Sequence, residues 1–526
     1  MDPLDNYFFC IAYHKITFTQ FLPNQNNSAM EETLLYIFLT LIFILIASKL
    51  FFKTRRRHNS NLPPSPPSLP IIGHLHLLKS SAYETFRSLS KKYGSVFSLR
   101  FGSRLVVVVS SPSAVEECFT KNDFVFANRP PLLMGKHLGF NYTILTQAPY
   151  GDHWRNLRRI GASEIFSTNR QNMFSGIRSD EIKRSLCKLS QNSLDDFGKV
   201  ELKSMFWDLT FNIIMRMVAG KRFSGDEAHQ FKKLMNEMFS VSGVANPNEF
   251  LPFFNWFSRG YEKKVRRVAE KTDVFLQGLI NKHRSEKQWN NDTVIDHLLS
   301  LQESQPEYYT DQIIKGFVMV IVVAGSETSA YSMEWAMANL LNHPHILKKA
   351  SDELDAQVGK QHHLVDESDV SKLHYLQNII LESSRLYPVT PLLSPHFSSD
   401  DCTIAGFDVP RGTILLVNSW AIHRDPKWWD DEESFKPERF EDGKGTAYKL
   451  MPFGLGRRAC PGQYMAQSVI GLTLASLIQC FEWKRVGEEK VDMTEGKGSF
   501  MPKVVPLEAM CRARPIMNSI LSEYAN

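Results

Sequence analysis

One cysteine of this chain stands where packing does not explain it: Cys460, in residues 453–462 (FGLGRRACPG), among glycines, arginines and a proline. Three chemistries suit such a residue. As a small buried hydrophobe it would want an apolar setting, which a Gly/Arg/Pro loop does not provide. As part of a phosphate cradle, GLGRR lacks the Gly-Lys-Ser/Thr ending that grips phosphates and magnesium. As a metal ligand it fits better. Glycines let backbone N–H groups approach the sulfur, and the apolar helix that the pattern predicts from about Gln463 to Phe481 favours thiolate at its N-terminus. One soft ligand does not make a zinc site, but it suffices as the axial ligand of a haem iron.

Other residues carry chemical interest through their spacing. Trp154 and Arg158, in HWRNLRR, stand one helical turn apart and can face one partner. Glu382 and Arg385, in LESSRLYP, can pair along a helix face, and Arg439 follows in FKPERF. Gly325, Glu327 and Thr328, in AGSETS, interrupt the apolar run GFVMVIVVAGSETSAYSMEWAMANLL. A carboxylate in a buried helix needs a partner. A threonine there either serves chemistry or bonds back to a carbonyl one turn earlier. His423 and the tryptophans of NSWAIHRDPKWW read as core packing.

The elements that must position these residues follow from the same pattern. A long helix is predicted from about Thr310 through Leu341, with Thr310 as N-cap and Asp311 favourable in its first turn. Being apolar nearly all round, it must run through a core. Strand-like runs lie at 96–99, 105–110 and 413–417. Beyond residue 70 there is no second linker and no internal repeat, so residues 71–526 read as one catalytic domain. A net charge of +5, from 61 basic and 56 acidic side chains, gives no basis for nucleic-acid binding. Seven scattered cysteines without a CxxC pair argue against a disulfide framework and for a reducing compartment.

Residues 33–52 (TLLYIFLTLIFILIASKLFF) are apolar and, at about 1.5 Å per residue, reach roughly the thickness of a hydrocarbon layer. Glu31 and Glu32 precede them, and Lys49, Lys53 and Arg55 to Arg57 follow, which places the body of the chain on the cytosolic side. Residues 30–52 therefore read as a membrane anchor helix, residues 53–70 as a basic stop and proline-rich hinge, and residues 1–29 as a non-native or disordered extension before a working start at Met30.

FGLGRRACPG fits the pattern Phe-x-x-Gly-x-Arg-x-Cys-x-Gly and resembles the haem loop of cytochrome P450 enzymes. The Trp-x-x-x-Arg, AGSETS, Glu-x-x-Arg and FKPERF stretches occur in the matching order, and the resemblance spans about residues 62–514. SQPEYYTDQIIKG, WAIHRDP and PLEAMC resemble the plant microsomal branch that holds isoflavone hydroxylases and lignan-modifying enzymes.

The resemblance implies a mainly α haem-thiolate fold with a small β region, preceded by an N-terminal transmembrane helix. It implies haem b (iron protoporphyrin IX), with Cys460 as axial ligand and Arg458, Trp154, Arg158, Phe453 and Gly325 around the cofactor. Thr328 and Glu327 would be catalytic, organising water and delivering protons. Glu382, Arg385 and Arg439 would form a structural network. The implied partners are an NADPH-cytochrome reductase docking near Arg155 and Arg159, dioxygen, a small hydrophobic substrate and membrane lipid, at the endoplasmic reticulum. Residues 126–145, 320–324, 389–396 and the neighbourhood of Phe500 would line the pocket. The implied reaction is NADPH- and dioxygen-dependent hydroxylation of a flavonoid or isoflavonoid, a lignan or a terpenoid. Ring-bridging or rearranging oxidation is the alternative, and a non-catalytic haem protein would need neither Glu327 nor Thr328.

Overall fold

The computed structural model describes residues 33–46 and 61–525, with short breaks at 79–80, 192, 194–195, 242–248, 251–254, 287–292, 359–362 and 444–445. The expected extension at 1–29 and the basic stop at 53–57 lie outside the described residues. The chain divides into two units, Met1–Ser60 and Asn61–Asn526. In the first, Thr33–Ile46 is an apolar helix whose side chains are exposed along its whole length. It spans about 20 Å at the α-helical rise, shorter than the roughly 30 Å of a bilayer core. The rest of the predicted anchor, residues 30–32 and 47–52, is outside the described residues.

The second unit begins on the proline segment, which is fastened to the body. The Pro63 and Pro64 carbonyls accept from the Ser98 hydroxyl and N–H, both at 2.8 Å, and Pro66 O lies 2.9 Å from His74 Nε2. Proline has no N–H to offer a sheet, so only its carbonyls can make this junction.

Three small sheets frame a helical body. Strands β1 (Val96–Phe101) and β2 (Arg104–Val109) form a hairpin, β3 is Gly198–Glu201, and β4 is His396–Phe397. The pair β5 (Cys402–Ile404) and β6 (Phe407–Val409) stands alone. Then follow β7 (Ile414–Val417), β8 (Phe481–Lys484) and β9 (Glu508–Ala513). The largest sheet has the order β1-β2-β7-β4, and a second has the order β3-β9-β8. β2 meets β7 in parallel, Val106 opposite Ile414 and Val109 opposite Val417, and both strands are almost wholly buried. Such a strand reads as a continuous apolar run, as LVVVVS and ILLV do.

Five helices position the residues of interest: α1 (Asp152–Glu164), α2 (Leu202–Ala219), α3 (Asp311–Asn342), α4 (His374–Leu386) and α5 (Gln463–Cys480). α3 starts where the sequence predicts, with the Thr310 hydroxyl accepting from Ile313 N at 3.4 Å. With mean hydropathy 1.6 it could cross a membrane by composition, but 67% of its most apolar stretch is buried inside the protein, which makes it the core helix. α2 runs antiparallel beside it. Ile214 approaches Gly325, Trp207 bonds Glu327, and Leu202 at the start of α2 pairs with Leu507, whose N–H reaches Glu334.

Candidate functional site

The loop before α5 is closed by its own backbone. Cys460 N donates to Phe453 O at 2.9 Å, and a single 3₁₀ turn, Gly456–Arg458, lies between them. Gly456 has φ +65, and a Cβ there would collide with the Asp123 carboxylate. The same carboxylate accepts from Arg457 N at 3.0 Å and pairs with Arg457 Nε at 3.2 Å. Glycine is thus required by both conformation and contact.

The Cys460 side chain is accessible, yet burial raises its thiol pKa, against the lowering effects of the Gly462 N–H and of Arg158. A group that is accessible and desolvated at once lines an internal void rather than the outer surface. The wall opposite carries the same mark. In the middle of α3, among buried neighbours, Ala324 is exposed and Gly325 and Thr328 are half-buried. Met465, in the first turns of α5, comes within 3.9 Å of a Cβ placed on Gly325, so loop and helix face one region.

One edge of this region is cationic, and among the described residues no acid balances it. Arg458 donates to three carbonyls, Ala127 O at 2.6 Å, Leu145 O at 3.3 Å and Ala148 O at 2.5 Å. Arg158 donates to Ala459 O at 2.9 Å, joining α1 to the cysteine loop. Both guanidinium groups lie over the buried Trp154 ring. Burial pushes Arg458 down to about 9, and the charges of Arg129 and Arg158 push the same way. Arg129 is lowered to about 10 by burial alone. No carboxylate acts on any of the three arginines. Arg129 Nε is moreover buried without a partner. Buried cations are normally paired, so this cluster fits an anionic group with carboxylates of its own.

On α3 the two polar residues diverge. Thr328 Oγ1 donates back to Ala324 O at 2.6 Å, keeping its hydroxyl beside the exposed alanine. Glu327 is buried on the α2 side, where Trp207 Nε1 donates to its Oε1 at 2.9 Å and the Tyr331 hydroxyl also bonds it. Trp207 is itself stacked on Phe211, with ring centroids 4.7 Å apart. A Cβ on Gly325 would stand 2.8 Å from Ile214 Cδ1. The close approach of α2 thus already requires glycine at this position.

The Glu382 network lies behind the loop. Arg385 forks onto Glu382 at 2.8 and 2.9 Å, and Arg439 Nε and Lys436 N reach Glu382 Oε1 at 2.9 Å each. The Glu382 and Arg385 side chains are 0% exposed. Arg385 also donates to the carbonyls of His423, Glu432 and Ser434, and the His423 ring accepts from Met451 N at 3.1 Å. The ion pair is thus wired to the entrance of the cysteine loop. Trp420, Trp429 and His423 are core residues, as predicted, while Trp428 is exposed.

Sequence reasoning missed Trp207, and it placed Arg129 and His396 within pocket-lining ranges without giving either a role of its own. His396 is buried, its Nδ1 lies 2.7 Å from Phe126 O, and its pKa is held well below the usual range by burial and by the charges of Arg129 and Arg458. Nothing in ANRP or SPHF signals this, because the contacts join segments far apart in the chain.

A family model described as Cytochrome P450 matches residues 63–508. Cytochrome P450 81Q32 of Catharanthus roseus is 57% identical over 500 residues, covering 94% of this chain and 99% of the relative. Isoflavone 2'-hydroxylase of Glycyrrhiza echinata is 51% identical, with 94% and 99% covered. (+)-Piperitol/(+)-sesamin synthase CYP81Q2 of Sesamum radiatum is 50% identical, with 94% and 100% covered.

Proposed function

Because the chain belongs to the cytochrome P450 family, haem-dependent monooxygenases, we propose that it hydroxylates a hydrophobic plant phenolic of the isoflavonoid or lignan type. The observation that carries this reading is the pairing of an accessible, desolvated Cys460 with an arginine cluster that no carboxylate neutralises. Haem b would fit both, since its iron would accept the sulfur and its two propionates would supply the missing charge. Cys460 would supply the thiolate that holds the iron, with the Gly462 N–H and Arg158 opposing the burial that raises its pKa. Arg129, Arg158 and Arg458 would hold the propionates, with Phe453 closing the loop beneath. Arginine suits this task because its charge is permanent and its fork can bond bidentately.

When bound, haem supplies the oxidation, using dioxygen and two electrons from NADPH, so that one oxygen atom enters the substrate and the other leaves as water. The chain's own residues do the rest. Thr328 Oγ1, released from Ala324 O, holds a water at the distal wall and passes a proton from it. Glu327 replenishes that proton, its carboxylate held in place by Trp207. Phe140 and Ile144 pack on α3 at Gly316, and with Val320 and Val323 they make an apolar wall that excludes water and selects a hydrophobic substrate.

Ring-bridging oxidation is a second reading, favoured by the likeness to a relative named as a sesamin synthase. The electron donor would be an NADPH-cytochrome reductase meeting Arg155 and Arg159, both exposed. The apolar Thr33–Ile46 helix supports an anchor in the endoplasmic reticulum membrane, in contact with lipid.

The test is full-length protein in microsomes with reductase and NADPH, first examined for the carbon monoxide difference band of a haem thiolate and then challenged with isoflavones, lignans and terpenoids. Hydroxylated or bridged isoflavone or lignan products are expected. A normal difference band with turnover of terpenoids alone would overturn the substrate class, and absence of the band would overturn the haem-thiolate reading.

A further inference from the structure

We propose that Phe124 is the apolar centre of the surface on which the electron-donating reductase docks, and that the Tyr150 and Trp154 rings continue this contact inward to the arginine cluster. The proposal rests on the reading that the reductase meets Arg155 and Arg159.

Phe124 is 60% exposed, whereas Phe126, two residues on, is 1% exposed. A single exposed apolar residue is ordinary. This one is fixed in place. Ala127 N donates to Phe124 O at 3.3 Å, Ser399 N to Val125 O at 3.0 Å, and Asn122 Nδ2 to Thr403 O at 2.7 Å. On the other side Asp123 holds the cysteine loop at Arg457. The turn that carries the ring is thus tied to two distant segments, and little freedom is left to lose when a partner covers it.

Behind Phe124, rings and guanidinium groups alternate. The Phe124 and Tyr150 ring centroids are 5.0 Å apart, and those of Tyr150 and Trp154 are 5.3 Å apart. Arg457 lies 5.7 Å from the Phe124 ring and 5.6 Å from the Tyr150 ring, and Arg155 lies 5.5 Å from the Tyr150 ring. The innermost ring, Trp154, is the one that carries Arg158 and Arg458. The surface at Phe124 therefore stands two ring contacts from the cluster assigned to the haem propionates. Electron transfer weakens steeply with distance, so such a surface suits an electron donor, whereas a second copy of the chain gains nothing from it.

The rim of the patch is charged. Arg159 Nη2 donates to the Asn156 side chain at 2.6 Å and has no acid partner among the described residues. Arg155 and Arg457 are exposed and pair with Asp152 and Asp123, and Lys121 pairs with Glu117. Exposed pairs of this kind are held weakly, so their cations can turn to the acids of a partner. An apolar centre inside a polar rim is the anatomy of a protein interface.

The experiment uses full-length, haem-loaded protein with purified NADPH-cytochrome reductase and no organic substrate. NADPH-driven appearance of the carbon monoxide difference band is followed as the reductase concentration is raised, and dithionite then reduces the remainder. F124A should raise the half-saturating reductase concentration by about 10-fold, as loss of an interface hot spot does. The maximal rate and the dithionite-reduced band should stay at the parent's values. F124W should restore tight docking, and V274A, which trims an exposed apolar residue elsewhere, should change nothing. R159E should weaken docking too, more at low salt than at high salt.

A second readout needs no electron transfer: binding of labelled reductase in detergent micelles, measured by fluorescence anisotropy, should weaken in F124A by the same factor. If R159E shifts half-saturation while F124A matches the parent, Phe124 is excluded and the reductase reading stands. If neither variant shifts it, that reading fails and the proposal with it. A diminished dithionite band in F124A would make the residue structural, and an equal effect of V274A would make the apolar contact unspecific; either result overturns the proposal. So does a change in self-association of F124A at unaltered reductase binding, which would give the face to a second copy of the chain.

Discussion

The guanidinium of Arg458 stands 4.5 Å from the centre of the Trp154 indole, and that of Arg158 stands 5.7 Å from the same ring. One side chain of α1 thus carries two cations for which the described residues offer no carboxylate. The π-face offsets part of their desolvation, about 0.5–2 kcal/mol for each, and holds both groups in place for an anion to come.

Arg129 completes that cluster and provides its cleanest test, because its buried Nε has no partner among the described residues. R129A should weaken haem retention by about 10-fold or more, the equivalent of one hydrogen bond to a charged group at about 1.5–3 kcal/mol. Transfer of haem to an excess of apomyoglobin measures this. A transfer rate equal to the parent's would exclude Arg129 from haem binding.

Glu382 holds Arg385 and Arg439 at once and contacts Lys436 N as well. E382A leaves two buried guanidinium groups unpaired, and it should cost about 3–5 kcal/mol. The expected result is a chain that unfolds at lower denaturant and accumulates without haem. Because Arg385 also reaches the His423 carbonyl, the damage should extend to the cysteine loop. Full haem content in soluble E382A would contradict this.

T328A removes the hydroxyl now closed on Ala324 O. It should leave haem content and the carbon monoxide difference band unchanged while raising the hydrogen peroxide formed per NADPH severalfold, in line with the loss of one positioned proton donor. Peroxide yield is read by a coupled peroxidase assay. Unchanged yield would assign the threonine to helix packing alone.

His423 makes stability depend on pH. Burial, and then the charges of Arg385 and Arg424, lower its pKa from 6.5 to about 3. Below pH 6.5 the unfolded chain takes up a proton that the folded chain refuses. Stability present above pH 6.5 is therefore lost as the pH falls toward 3, by about 1.4 kcal/mol per unit. H423Q can still accept from Met451 N, and its denaturation midpoint should vary less between pH 6.5 and 5 than the parent's. Parallel pH profiles would show that the imidazole is not neutral in the fold.

Much of this arrangement was legible in the sequence because its signals are local. The N-cap at Thr310, the start of α5 at Gln463 and the strands LVVVVS and ILLV depend on neighbours a few residues away, and the structure places them within one to three residues of expectation. The Glu382–Arg385 pair was readable as a helical i, i+3 spacing, although only its burial shows that it is architectural. Illegible were the contacts between distant segments. Glu327 was readable as a buried acid that needs a partner, but the partner it has, Trp207, lies 120 residues earlier. Gly325 has the same explanation, since Ile214 belongs to the same distant helix. No periodicity within α3 encodes which of its faces α2 will cover.

The bond from Arg158 to Ala459 O spans 301 residues of chain, and the one from Arg458 to Ala127 O spans 331. A protein being synthesised therefore has no complete arginine cluster until nearly all of it has left the ribosome, since the first half of the cluster waits for the second. Folding that depends on such remote contacts is slow. The cluster is thus among the last features to assemble, and a chain truncated before Arg458 would leave the Ala127, Leu145 and Ala148 carbonyls without that donor.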